Sequence, residues 1–217
     1  MNDAQYSPSR LLRLFAIAAT AAFFTVRVAA QERPTTTSQS HPATDQNFYL
    51  DLDTAAGSFS QWRMDDLGMN NFVVAEVQCP GIRKESNYVP AFGLHLQDAP
   101  DHPKNVISVQ VAAYDHKLPM RMKIVGRLQG QPIEPIELRT VVKLNERISV
   151  RLSWDVSNSL KICAGSEIRL VRLGWQPRSL VVTGSTGQFK VNPLVIRIAN
   201  DSSASASSTC AVVGNQP

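Results

Sequence analysis

His95, Gln97, Tyr114, Arg121 and Lys123 fall within one short stretch of the chain. They are the residue types that handle an acidic sugar: a His or Tyr to move a proton, a cation and an amide to hold a carboxylate. Trp62 and Trp175 add flat rings that could stack on the apolar face of a pyranose. Asp98 and Asp101, in the loop Asp98-Ala99-Pro100-Asp101-His102-Pro103, supply hard oxygens of the kind calcium takes, though without the spacing of an EF-hand. Other chemistries find no support. No E-x-D-x-E run aims carboxylates from one strand into a cleft. Glu134 and Glu137 are in opposite phase on a strand, and Asp51 and Asp53 share a face but lack a third carboxylate. His41, His95, His102 and His116 have no i, i+2 or i, i+4 histidine partner for zinc, and no G-x-S-x-G is present. These residues therefore form a candidate ligand-binding set, with calcium as the only metal they would suit, and no catalytic residue is assigned.

The elements that position this set repeat every two residues. Ile148-Ser149-Val150-Arg151-Leu152-Ser153-Trp154-Asp155-Val156 alternates apolar and polar throughout, the signature of a strand with one buried face. The same rhythm holds for Ile107 to Ala113, for Phe92 to Gln97 and for Met122 to Leu128, with shorter runs elsewhere. Turn residues separate the runs, as in Cys79-Pro80-Gly81, Gln129-Gly130-Gln131-Pro132 and Gly184-Ser185-Thr186-Gly187. Many short punctuated strands, and no amphipathic helix after the leader, predict an all-β fold: an antiparallel β-sandwich, with a closed barrel as the alternative. In this phase Trp154 belongs to the core, and His95 to the polar face of its strand. Arg121, Lys123 and Arg127, then Arg139 and Lys143, then Arg151 recur on polar faces. If their strands are neighbours they form a positive stripe favourable to an acidic glycan.

The chain has 217 residues and a formal charge of +4, with 43% hydrophobic residues. Residues 1–30 read as a secretory signal peptide: Arg10 and Arg13 precede an uncharged run from Leu14 to Val26, and Val28-Ala29-Ala30 marks the cut. That run is short of the roughly 20 residues a membrane span needs. Losing Asp3, Arg10, Arg13 and Arg27 with the leader lowers the charge from +4 to +2. So small a charge on an exported protein argues against nucleic acid as a partner, and no later stretch predicts stable membrane insertion. The expected setting is the periplasm or the exterior. Residues 31–46 read as a flexible lead-in, 47–199 as the β-sandwich domain and 200–217 as a Ser-rich flexible tail. Cys79, Cys163 and Cys210 all follow the cut, so one is left over. All three pairings are open. The expectation is Cys79–Cys163, which would close a long loop worth about 4 kcal/mol; Cys210 stapling the tail is the alternative.

The C-terminal half carries a further order. A strand ending in Trp154-Asp155 is followed by a hairpin around Leu160-Lys161-Ile162-Cys163-Ala164-Gly165. Then come Ile168-Arg169-Leu170, the run Pro177-Arg178-Ser179-Leu180-Val181-Val182-Thr183-Gly184, and Phe189. This resembles the concanavalin A-like lectin and glucanase superfamily, laminin-G-like modules included. The opening strand Phe48 to Thr54 suits the first strand of such a jelly roll. Ala164-Gly165 departs from the Asp-Gly turn of many relatives, and no strict lectin metal motif is present. The resemblance implies a jelly-roll sandwich over residues 47–198 that serves as a non-catalytic, lectin-like carbohydrate-binding domain. A polysaccharide lyase or glycoside hydrolase of the same fold, and a laminin-G-like adhesion module binding protein, are the alternatives, because this scaffold hosts all three.

Overall fold

The computed structural model describes residues 44–68, 71–83, 88–114 and 117–198. The leader, most of the lead-in, His116 and the tail lie outside the described residues. Thirteen strands are described: β1 (Thr44–Asp53), β2 (Phe59–Met64), β3 (Phe72–Ile82), β4 (Ala91–Gln97), β5 (Val106–Ala112), β6 (Met120–Leu128), β7 (Gln131–Pro132), β8 (Ile136–Val142), β9 (Arg147–Trp154), β10 (Ser159–Ala164), β11 (Glu167–Arg172), β12 (Ser179–Ser185) and β13 (Gly187–Ile198). All pairings are antiparallel. The first sheet runs β1-β13-β3-β9-β10-β11 and the second β2-β12-β4-β5-β6-β7, with β8 also on β6. Two stacked sheets, not a closed barrel, thus enclose the core.

Alternation dictates which residues fill it. From the first sheet, Leu50, Leu52, Val73, Ala75, Val77, Val150, Leu152, Trp154, Leu160 and Ile162 point inward; from the second, Phe92, Leu94, Leu96, Val109, Met122, Ile124, Leu180 and Val182. Phe92 of β4 meets Phe189 of β13 across the layers, ring centroids 6.0 Å apart, a contact worth about 1 kcal/mol beyond its area. Trp154 is buried as expected, its indole N–H donating to the Gly68 carbonyl at 3.3 Å.

β1 begins at Thr44, inside the segment expected as lead-in. Thr44-Asp45-Gln46 has no apolar pattern to announce a strand; its backbone is held by pairing with Ile198, Arg197 and Ile196 of β13. The disulfide expected between Cys79 and Cys163 does not form. Cys79 is a free, buried thiol, whereas Cys163 is disulfide-bonded. The reason is geometric. Cys79 lies in phase with Val73, Ala75 and Val77 and faces the core. Cys163 is out of phase with Leu160 and Ile162 and faces the other way. The strands are also separated by β9, or about 9.6 Å, beyond the roughly 7 Å a disulfide can bridge between Cα atoms.

Candidate functional site

The outer face of the second sheet collects most of the candidate residues. Strand register sets them out in rows. One row runs Gln61, Thr183, Gly93, Gln110, Lys123, Glu137 across β2, β12, β4, β5, β6 and β8. The next runs Arg63, Val181, His95, Ser108, Val125. Polar groups therefore converge from chain segments far apart in sequence because antiparallel pairing places them side by side.

His95 lies at the centre of this face. Its Nδ1 is 2.7 Å from Ser108 Oγ, and its Nε2 is 2.8 Å from Thr183 Oγ1. One hydroxyl donates to the bare ring nitrogen and the other accepts from the ring N–H. The ring lies over Gly93, where a Cβ would come within 2.4 Å of His95 Nε2 and 2.9 Å of Thr183 Oγ1. Glycine there makes room for the imidazole. Burial pushes the His95 pKa down from 6.5 to about 4, so the ring is neutral at neutral pH.

A pH dependence follows. Between pH 6.5 and about 4 the unfolded chain takes up a proton at this position and the folded one does not. The stability tied to neutral His95 is whole above pH 6.5 and is lost as the pH falls through about 4. The loss should be on the order of 3 kcal/mol. Urea melts over this interval should show stability falling with acidification, and His95→Gln should flatten the slope. Equal slopes in the two proteins would count against the clamp.

Beyond the end of β5, Tyr114 packs under Lys123, whose Nζ is 4.3 Å from the ring centroid. Lys123 also pairs with Glu137 at 2.9 Å. The hydrogen bond and charge of Lys123 hold the Glu137 carboxyl below its ordinary value, aided by Arg121. Burial raises the Tyr114 phenol, with Lys123 pulling against it. At the far end of β4, Gln97 shares the outer face two residues beyond His95 and accepts from Ser179 Oγ at 3.4 Å. Basic residues outnumber acidic ones here: Arg63, Arg121, Lys123, Arg127 and Arg139 lie on this side, against Glu137, the Asp65 that pairs with Arg63 at 2.6 Å, and Asp101, 3.9 Å from Arg63.

So His95, Gln97, Arg121 and Lys123 come to one face, as their strand phases predict, and Tyr114 joins them from beyond the end of β5. The two tryptophans do not. Trp62 is paired with Val182, an inward position; it packs against the core, its ring 4.9 Å from that of Phe48. Trp175 also packs against the core, and its indole N–H is buried without an acceptor among the described residues. Arg151 is removed from the positive stripe because β9 belongs to the first sheet, where its guanidinium sits 4.7 Å from the Phe72 ring. Asp51 and Asp53 lie on that first sheet too, engaged by Gln188 and by Arg83.

Asp98 and Asp101 are differently placed. Asp98 accepts from Asn105 Nδ2 at 2.7 Å and braces the loop before β5, while Asp101 is 89% exposed, 3.9 Å from Arg63. No group of three or more His, Cys, Asp or Glu able to hold a metal is present among the described residues. Ser108, Gln110, Thr183 and Arg63 belong to the face and were missed from the sequence, and Glu137, weighed there only as a catalytic carboxylate, joins them. Ser108 and Gln110 share the outward phase of their strand, a signal that could have found them.

The two-sheet antiparallel sandwich is a jelly-roll fold shared with several solved structures. An alginate lyase from Alteromonas sp. 272 superposes with a TM-score of 0.50 at 11% identity, over 70% of this chain and 88% of that one. A polysaccharide lyase of family 18 gives 0.50 at 10% identity, over 70% and 88%. A homodimeric agglutinin from chicken liver, CG-16, gives 0.47 at 11% identity, over 63% and 99%. No protein-family model matches the chain, and no curated protein matches it.

Proposed function

We propose that this chain is an exported, non-catalytic carbohydrate-binding domain that holds an acidic glycan on the outer face of its second sheet. The observation that carries the reading is the polar row from Gln61 through Thr183, Gln110 and Lys123 to Glu137, uninterrupted except at Gly93, with a basic excess around it. A row of amides, hydroxyls and cations offers hydrogen bonds to sugar hydroxyls and charge to carboxylates or sulfates. Binding is favoured over cleavage because neither candidate base is poised. Both ring nitrogens of His95 are taken by hydroxyls, and the Tyr114 phenol is shifted away from ready ionisation. The fold shared with an alginate lyase does not by itself decide between binding and cleavage.

The test is retention on immobilised acidic and neutral polysaccharides at low and high salt, with the ultraviolet absorbance of unsaturated products followed in parallel. Acidic polysaccharide should retain the protein, and salt should release it. Silence on every glycan, or equal retention on neutral ones unaffected by salt, would overturn the reading. Appearance of unsaturated product would turn it into a lyase.

A further inference from the structure

The His95 ring is held in one orientation. Ser108 stands opposite His95 on β5, and Thr183 stands opposite Gly93 on β12. Their hydroxyls meet Nδ1 at 2.7 Å and Nε2 at 2.8 Å. Hydrogen bonds to an imidazole nitrogen lie in the plane of its ring, so that plane contains the direction from β5 across to β12. The leading edge of the ring lies over Gly93, two residues back along β4: Nε2 is 2.4 Å and Cε1 2.8 Å from where a Cβ would stand. The plane therefore also contains the strand direction. A ring that holds both directions lies flat on the sheet. Gly93 is buried beneath it despite its outward phase, while His95 keeps part of its surface in solvent. That surface is the outer π face of the imidazole.

We propose that this outer face is a stacking platform for one pyranose of the bound glycan, a subsite that rests on the carbohydrate-binding reading above. A pyranose with one face of C–H groups and a rim of hydroxyls matches the surroundings of the ring. Val181 and Ser108, its neighbours across the strands, are short and leave the ring clear. Gln61, Thr183 and Gln110 in the adjacent row are partners for the rim. The ring is uncharged at neutral pH, because burial lowers its pKa to about 4, so it offers a π face without an ion's hydration shell. Trp62 and Trp175, the stacking surfaces expected from the sequence, pack against the core instead, and the imidazole takes that part. Lys123 on β6 is two strand spacings from β4, about 9.6 Å, further than one pyranose is wide. The sugar over His95 is therefore not the one whose carboxylate meets Lys123. The ligand has at least two units, one read by its flat face and the other by its charge.

Nuclear magnetic resonance of the full chain carrying isotope-labelled histidine tests this, with His95 assigned as the signal absent from His95→Gln. Titration with oligosaccharides of alginate, polygalacturonate and heparin in turn should shift its ring Hδ2 and Hε1 signals. It should also give nuclear Overhauser effects to the C–H protons of one sugar face, while the ring nitrogens keep their neutral pattern. Gly93→Ala lifts the ring without removing a polar partner and should weaken binding about tenfold. Binding with the His95 signals unmoved, or equal affinity in Gly93→Ala, would overturn the stack and leave the glycan reading standing. Silence with all three kinds of oligosaccharide would overturn both.

Discussion

Arg121→Glu combined with Lys123→Glu should lower affinity for an acidic polysaccharide by about 100-fold or more, with the melting temperature falling by only a few degrees for the lost Lys123–Glu137 pair. Each residue projects from the outer face of β6, Arg121 exposed and Lys123 half-buried between Tyr114 and Glu137. A charge-assisted hydrogen bond is worth about 1.5–3 kcal/mol, so losing two and adding repulsion exceeds the roughly 2.7 kcal/mol of a 100-fold change. Glu137→Gln should act in the opposite sense. Glu137 occupies Lys123 at 2.9 Å and competes with any ligand carboxylate; an amide there frees the ammonium and should tighten binding several-fold. Titration calorimetry of the three proteins against one acidic polysaccharide checks both signs. Affinity unchanged in the double reversal, or weakened in Glu137→Gln, would remove this face from the binding site.

Gly126→Ala should destabilise the domain by about 3 kcal/mol, at the upper end for overpacking. Gly126 is paired with Ile107, and a Cβ there would lie 2.2 Å from the Val106 carbonyl oxygen and 3.2 Å from the Ile107 Cα. The obstacle is backbone, not the end of a side chain, so β5 and β6 would have to separate. At 2–4 °C per kcal/mol for a domain of this size, the melting temperature should fall by roughly 10 °C. Glycan binding should weaken too, because Ser108 and Gln110 stand on one of these strands and Lys123 on the other. A thermal melt of Gly126→Ala matching the parent protein would mean that the two strands pair more loosely than the close approach implies.

Alternation made the sandwich legible, and with it the placing of His95, Gln97, Arg121 and Lys123 on an outward face. The period of two assigns a face within each strand, but says nothing about which strands are neighbours. Thr183 meets His95 across 88 residues of sequence, and Arg151 leaves the stripe only because β9 pairs with β3 and β10. Trp62 misled for a related reason. Its run Phe59-Ser60-Gln61-Trp62-Arg63-Met64 has apolar residues in both phases, and only the pairing with β12 decides that Trp62 turns inward. The cysteines were more readable than the expectation made of them. Cys79 continues the apolar phase of Val73 and Val77, and Cys163 interrupts that of Leu160 and Ile162, so opposite faces were already written in the strands. The start of β1 at Thr44 was not readable, because an edge strand held by its ladder needs no hydrophobic pattern.

Cys79, finally, governs which oxidation products the chain can reach. Burial pushes its pKa up to about 11, a rise only partly offset by a backbone hydrogen bond from Gly81. At neutral pH that leaves about one molecule in ten thousand with the nucleophilic thiolate. The odd sulfhydryl is therefore a chemical bystander once the layers have closed, quarantined from exchange and unable to scramble the bond at Cys163.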